Sequence, residues 1–186
     1  METAQTTIDY LRDEKGIKAG CLNIYCFRPF PARQLVEALK GCVAFSVIER
    51  MDDPLSTTGN HLTREIKAAF CDAMAGQMGH ERIERAPRIY HGAAGLGSRD
   101  VRPGDINAIF DNMINDGQDF FVLGIQHALA LENTDDPDLR PSGAFSMRGH
   151  SVGGFGSVTS NKVIATIGDC HRCLMGKFLA DYESPP

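Results

Sequence analysis

The sequence predicts an α/β fold: a mostly parallel sheet with helices on both faces, followed by an incomplete second α/β unit at the carboxyl end. Three observations predict it. Short runs that are apolar on both faces, such as residues 43–48 (VAFSVI) and 120–125 (FFVLGI), read as strands of a covered parallel sheet. Stretches with apolar residues at helical spacing lie between those runs. A glycine-rich turn, Gly149 to Gly156, opens into another helical run after a proline-bearing linker.

Residues 6–14 read as a short helix with Ile8 and Leu11 on one side, stopping at Gly16. Residues 19–27 (AGCLNIYCF) read as a buried strand. Residues 32–40 carry Leu35, Val36 and Leu39 at helical spacing and end at Gly41. The run 43–48 is expected as an interior parallel strand. A polar loop with Pro54 follows. From Asn60, the positions Leu62, Ile66, Ala69, Phe70, Ala73 and Met74 fit one face of a long helix, which Gly76 and Gly79 end. Residues 88–91 read as a brief strand, and the glycine-rich loop 92–100 leads on to the next helix. That helix has Pro103 near its first position, where a missing N–H costs nothing, and Asp105 in its first turn, where a negative charge suits the dipole. Its inner face is Ile106, Ile109, Phe110 and Met113, and the strand 120–125 follows.

This gives roughly four strands alternating with helices. Residues 1–132 form the first domain. The polar segment 133–143, with Pro137 and Pro141, is a linker. Residues 144–186 begin a second unit: a strand at 144–148, the glycine turn, and a helix from about 157 to 167.

The formal charge is -5 over 186 residues, with no basic stripe, which argues against nucleic acid. No apolar run approaches the ~20 residues that span a bilayer. Residues 1–16 are polar, unlike a signal peptide, so the expected compartment is the cytoplasm. The six cysteines are scattered, which does not suit a secreted disulfide framework. Cys21, Cys26 and Cys42 sit in or beside strand-like runs and are expected to be buried thiols.

The turn at Gly153, Gly154 and Gly156 brings backbone N–H groups where an anion could be held, with Ser157, Thr159 and Lys162 as side-chain donors. The spacing matches neither the dinucleotide fingerprint nor the P-loop. A close strand–helix packing turn that only glycine permits explains the same residues equally well. The loop 92–100 is expected at the carboxyl end of the sheet, where open α/β folds bind ligands, though a tight connector explains it too. Arg99 and Asp100 read as a local salt bridge or cap. Cys170-His171-Arg172-Cys173 is a lone C-x-x-C without the further ligands zinc needs or a thioredoxin-like context. His61, His80, His91, His127 and His150 are isolated. The residues read alone point to no catalytic set and no metal site, and to a binding or interface domain.

Three blocks carry a resemblance. Phe27-Arg28-Pro29-Phe30-Pro31, followed by Leu35 to Gly41 and Val47-Ile48-Glu49-Arg50, is the first. Gly95-Leu96-Gly97-Ser98-Arg99-Asp100-Val101-Arg102-Pro103 with Ile109 to Met113 is the second. The glycine turn, with Ser151 at its first glycine position, then Asn161-Lys162 and Ile167-Gly168-Asp169, is the third. In this order they resemble the pyruvate:ferredoxin (flavodoxin) oxidoreductases and related 2-oxoacid:acceptor oxidoreductases. The first two are similar to that family's transketolase C-terminal-like second domain, the third to the start of its gamma-type domain.

The resemblance implies a parent enzyme that decarboxylates a 2-oxoacid, pyruvate foremost, with coenzyme A, thiamine diphosphate and iron–sulfur clusters, and passes electrons to ferredoxin or flavodoxin. It implies as partners the remaining domains or subunits of that enzyme, and makes coenzyme A a second candidate for the turn at Gly153. This chain alone is expected to bind none of the cofactors and to lack the catalytic centre. The alternative is a free-standing α/β binding or scaffold module. Under the first reading, residues 144–186 are expected to expose Val152, Phe155, Val163, Ile164, Ile167 and Leu174 unless a partner covers them.

Overall fold

A computed structural model describes residues 2–132, 135–140, 159 and 163. The chain divides into two compact units, Met1–Leu139 and Arg140–Pro186. The first unit is α/β as expected. Its elements are α1 (Glu2–Asp13), α2 (Ala32–Leu39), β1 (Ala44–Glu49), α3 (His61–Ala75), β2 (Arg88–Ala93), a 3-10 turn (Leu96–Ser98), α4 (Pro103–Ile114) and β3 (Phe120–Val122). Within the second unit, Thr159 and Val163 are helical and exposed. The expected strand 144–148 and the glycine turn lie outside the described residues.

The sheet has three strands in the order β1-β2-β3, all parallel. Phe45 sits opposite Ile89 and Val47 opposite His91, while Gly92 sits opposite Phe121. Successive side chains of a strand point to opposite faces, so this register builds two cores. On one face Phe45, Val47 and Ile89 meet Leu35 and Val36 of α2 and Ile66, Ala69, Phe70 and Ala73 of α3. On the other, Ala44, Ile48, Tyr90 and Phe121 meet Ile106 and Ile109 of α4, with Ala4 of α1 at the margin. Helices therefore cover both faces, as two-sided apolar strands require.

Local chemistry places the helix ends. Gly76 takes the left-handed conformation at φ 68°, and the amide of Gln77 donates to Asp72 at 2.8 Å, closing the last turn of α3. Pro103 opens α4, and the Asp105 carboxylate accepts from the Arg102 amide at 2.8 Å. The Gly104 amide donates to Asp136 at 2.8 Å, so a segment read from sequence as linker is fastened to the α4 N-terminus.

Four expectations are corrected. Residues 19–27 are not a buried strand: they join no ladder, and Tyr25 is 93% exposed. None of the amides from Gly20 to Arg28 donates a hydrogen bond among the described residues, and an extended run becomes a strand only beside a paired neighbour. For the same reason β1, expected as an interior strand, stands at the sheet's edge. Cys21, Cys26 and Cys42 are exposed rather than buried: the first two lie in the unpaired run and Cys42 in the connection between α2 and β1. Met74, read as a core position, is 39% exposed at the last turn of α3.

One close approach accounts for a residue that sequence alone leaves neutral. A Cβ on Gly92 would collide with the ring of Phe121, meeting even its far Cζ at 2.9 Å. Gly92→Ala is expected to cost about 1–3 kcal/mol through overpacking. Chemical denaturation checks this, and adding Phe121→Leu to the same chain should recover part of the loss by freeing the space.

Candidate functional site at the carboxyl end of the sheet

The carboxyl ends of β1 and β2 meet the start of α3 and the loop before α4. Glu49, the last residue of β1, turns its carboxylate onto the α3 N-terminus. One oxygen accepts from the Leu62 amide at 2.8 Å. The other accepts from the Thr63 amide at 3.1 Å and the Thr63 hydroxyl at 2.8 Å. The first N–H groups of a helix have no partner within it, and a negative charge suits the dipole. A strand residue thus caps a helix that begins far along the chain.

Asn60, at the position before that helix, does not cap it. Its amide group donates to the Met51 carbonyl at 2.6 Å, and its oxygen accepts from the Asp53 amide at 2.9 Å. The side chain is buried and closes the loop 51–60 from within. Gly59 completes the loop at φ +108°, where a Cβ would stand 2.6 Å from the Thr63 Cγ2.

The loop after β2 is a second fixed element. Arg50 Nε donates to the Gly95 carbonyl at 3.0 Å, tying the β1 end to the β2 end. Gly95, Gly97 and Ser98 all have positive φ, which makes the turn tight. A cleft of ≈ 330 Å³ lies here, lined by Glu49, Arg50, Ala94, Gly95, Arg99 and Asp100 among others. The loop 92–100 therefore does lie at the carboxyl end of the sheet, with its first two residues belonging to β2. Arg99 and Asp100, read as a local salt bridge or cap, form no ion pair among the described residues, but Arg99 does cap the 3-10 turn, its amide donating to the Leu96 carbonyl at 3.2 Å. Polar groups of both signs line the cleft. Both Glu49 oxygens are engaged by the start of α3.

His91 lies in β2 against the ring of Phe120, with centroids 5.1 Å apart. Its Nδ1 is buried and has no hydrogen-bond partner among the described residues. Burial, and then the nearby Lys67, lowers its pKa below the ordinary value. The neutral ring is therefore the form the fold accepts. The unfolded ring takes a proton first as pH falls, so stability is complete above about pH 6.5 and is lost below it. The melting temperature is expected to fall between pH 7 and pH 5, and His91→Gln should fall less over that interval.

Of the residues singled out from sequence as an anion site, Gly153, Gly154, Gly156, Ser157 and Lys162 lie outside the described residues. Thr159 is helical and exposed. Cys170 and Cys173 also lie outside. Glu49 and Asn60 drew no attention as site residues. The signal that could have found Glu49 is an acidic residue closing an apolar strand ahead of a helix without a capping hydroxyl at its start. Among the described residues, no three His, Cys, Asp or Glu side chains converge to hold a metal ion. No helix among them is long and apolar enough to cross a membrane.

Comparisons with known proteins bear on the same elements. A family model described as pyruvate:ferredoxin oxidoreductase core domain II matches residues 1–106, which include β1, β2, the cleft and the start of α4. A pyruvate-flavodoxin oxidoreductase of Enterobacter agglomerans is 29% identical over 175 residues, 90% of this chain and 14% of that protein. A pyruvate:ferredoxin oxidoreductase of Moorella thermoacetica is 28% identical over 174 residues, 90% of this chain and 14% of that protein. The pyruvate synthase subunit PorA of Thermotoga maritima is 33% identical over 113 residues, 61% of this chain and 26% of that subunit. The chain thus spans about one seventh of the length of the first two relatives, both at 14%.

Proposed function

This chain belongs to the pyruvate:ferredoxin oxidoreductase family through that family's core domain II, and from this premise we propose that it serves as one domain of a pyruvate:ferredoxin or flavodoxin oxidoreductase. In that role it supports the coenzyme A-dependent oxidative decarboxylation of pyruvate carried out by the whole assembly. The observation that carries the reading is the match through residues 1–106 to a domain-sized part of much longer enzymes.

Thiamine diphosphate would supply the carbanion chemistry and iron–sulfur clusters the electron transfer of such an assembly. The described residues of this chain do not fit a cluster, since no three metal-ligating side chains come together among them. No chemical step is therefore routed through them. What this chain contributes is a rigid frame: Glu49 holds α3, Arg50 holds the loop at Gly95, and Asp136 holds α4. The partners are the other domains or subunits of the enzyme, with ferredoxin or flavodoxin as the electron acceptor. The turn at Gly153 to Lys162 belongs, in this reading, to an anion or coenzyme A contact of the second unit.

The test is a dye assay. The purified chain alone should give no pyruvate-dependent reduction of viologen, and the chain combined with the remaining domains should give it. Reduction by the chain alone would overturn the reading.

A further inference from the structure

The two edges of the sheet are treated differently. Along β3 the outer edge is closed: the Val122 amide donates to Leu129 at 3.0 Å and the Leu131 amide donates to Val122 at 3.1 Å. Along β1 it is open. The Val43 and Glu49 carbonyls accept from the Arg88 and Ala94 amides at 3.1 and 3.0 Å. Alternate residues of a parallel strand bond to the same neighbour, so Phe45 and Val47 also face β2. The N–H and C=O groups of Ala44, Ser46 and Ile48 then point to the other side, where no partner exists among the described residues. Native sheets close or blunt such an edge. This one carries no proline and no lysine.

A second row of unpaired groups accompanies it. Residues 20–28 are extended with no amide donating a bond, yet the run is apolar: Leu22 is 47% exposed and Phe27 41%. Ile24 of this run packs against the core cluster that contains Val47 of β1. Val43, just before β1, is 84% exposed. Apolar side chains and unsatisfied backbone groups together specify a β-strand as the missing neighbour, since a helix or loop satisfies only the first.

We propose that the open edge of β1 takes one further β-strand, parallel to β1 and apolar on both faces, supplied by the remainder of the oxidoreductase assembly. This rests on the assembly reading above. The chain accounts for 14% of the length of its long relatives, which is where such a strand has room to reside. The strand is apolar on both faces because the neighbouring β1 sends Phe45 and Val47 toward the α2–α3 layer and Ala44 and Ile48 toward the α1–α4 layer. Residues 20–27 become its neighbour on the far side, and the strand that the sequence reads there forms only then.

The test compares the full chain alone with the full chain bound to the other domains of the oxidoreductase. Hydrogen exchange is read in peptides covering 20–27 and 44–49. The expected result is fast exchange of the outward amides in the chain alone and at least about tenfold slower exchange in the assembly. Ser46→Pro removes an outward amide and no bond to β2, so the variant should melt as a folded domain but fail to assemble. Ser46→Ala keeps the amide and should assemble. An assembly that forms with these peptides unprotected, or that tolerates Ser46→Pro, overturns the proposal while leaving the assembly reading intact. Protection that arises from self-association of the chain alone names a second copy as the occupant and overturns it too. Failure of the unaltered chain to assemble at all removes the assembly reading and this proposal with it.

Discussion

Phe70→Ala is expected to destabilise the first unit by about 3–5 kcal/mol. The ring is 1% exposed and sits between α3 and the sheet. It meets the Phe45 ring at 5.7 Å between centroids, joining α3 to β1. Truncation removes the transfer free energy of the ring and leaves a cavity that Leu35, Val36, Ile66 and Ala73 cannot collapse to fill. Natural domains carry only about 5–15 kcal/mol in total, so this loss brings the unit close to unfolding at ambient temperature. A urea titration reads it as a lower midpoint with an unchanged slope. Phe70→Leu, which keeps most of the volume, should cost about a third as much. Equal losses for the two variants would show that the site is not closely packed.

The second large effect is expected at Glu49. Glu49→Ala leaves the Leu62 and Thr63 amides and the Thr63 hydroxyl without their acceptor. Thr63 is fully buried at 0% exposure, so water does not readily replace the carboxylate there. Charge-assisted bonds to buried donors are the strong class, and the expected loss is about 2–4 kcal/mol. Glu49→Gln keeps a neutral acceptor and should lose roughly half of that. Hydrogen exchange at the start of α3 separates this from a general loss of packing. The alanine variant should expose the Leu62 and Thr63 amides before the rest of the helix opens.

These two positions differ in how far the sequence reveals them. Phe70 follows from periodicity: Ile66, Ala69, Phe70 and Ala73 recur at helical spacing, and all four are buried. Glu49 is visible only as the acidic end of an apolar run. Its role depends on a helix start thirteen residues on, at Leu62, being folded back beside it. The cleft is legible in part. The glycines of 92–97 signal a tight turn after a strand, but the tie between Arg50 and Gly95 joins segments 45 residues apart.

The sequence by itself determined the helices, the alternation of strand and helix from α2 onward, and the family. A helix closes its hydrogen bonds within one segment, so spacing, Pro103 and Gly76 suffice to place it. Only the tertiary structure decided which extended runs became strands. Residues 19–27 and 44–49 are both apolar and extended, yet only the second found a ladder, because a strand's partner comes from elsewhere in the chain or beyond it. The same cause exposed Cys21 and Cys26, while Cys42 is exposed in the connection between α2 and β1. Burial of a thiol is a property of what packs over it, and that covering is not written in the residues beside it.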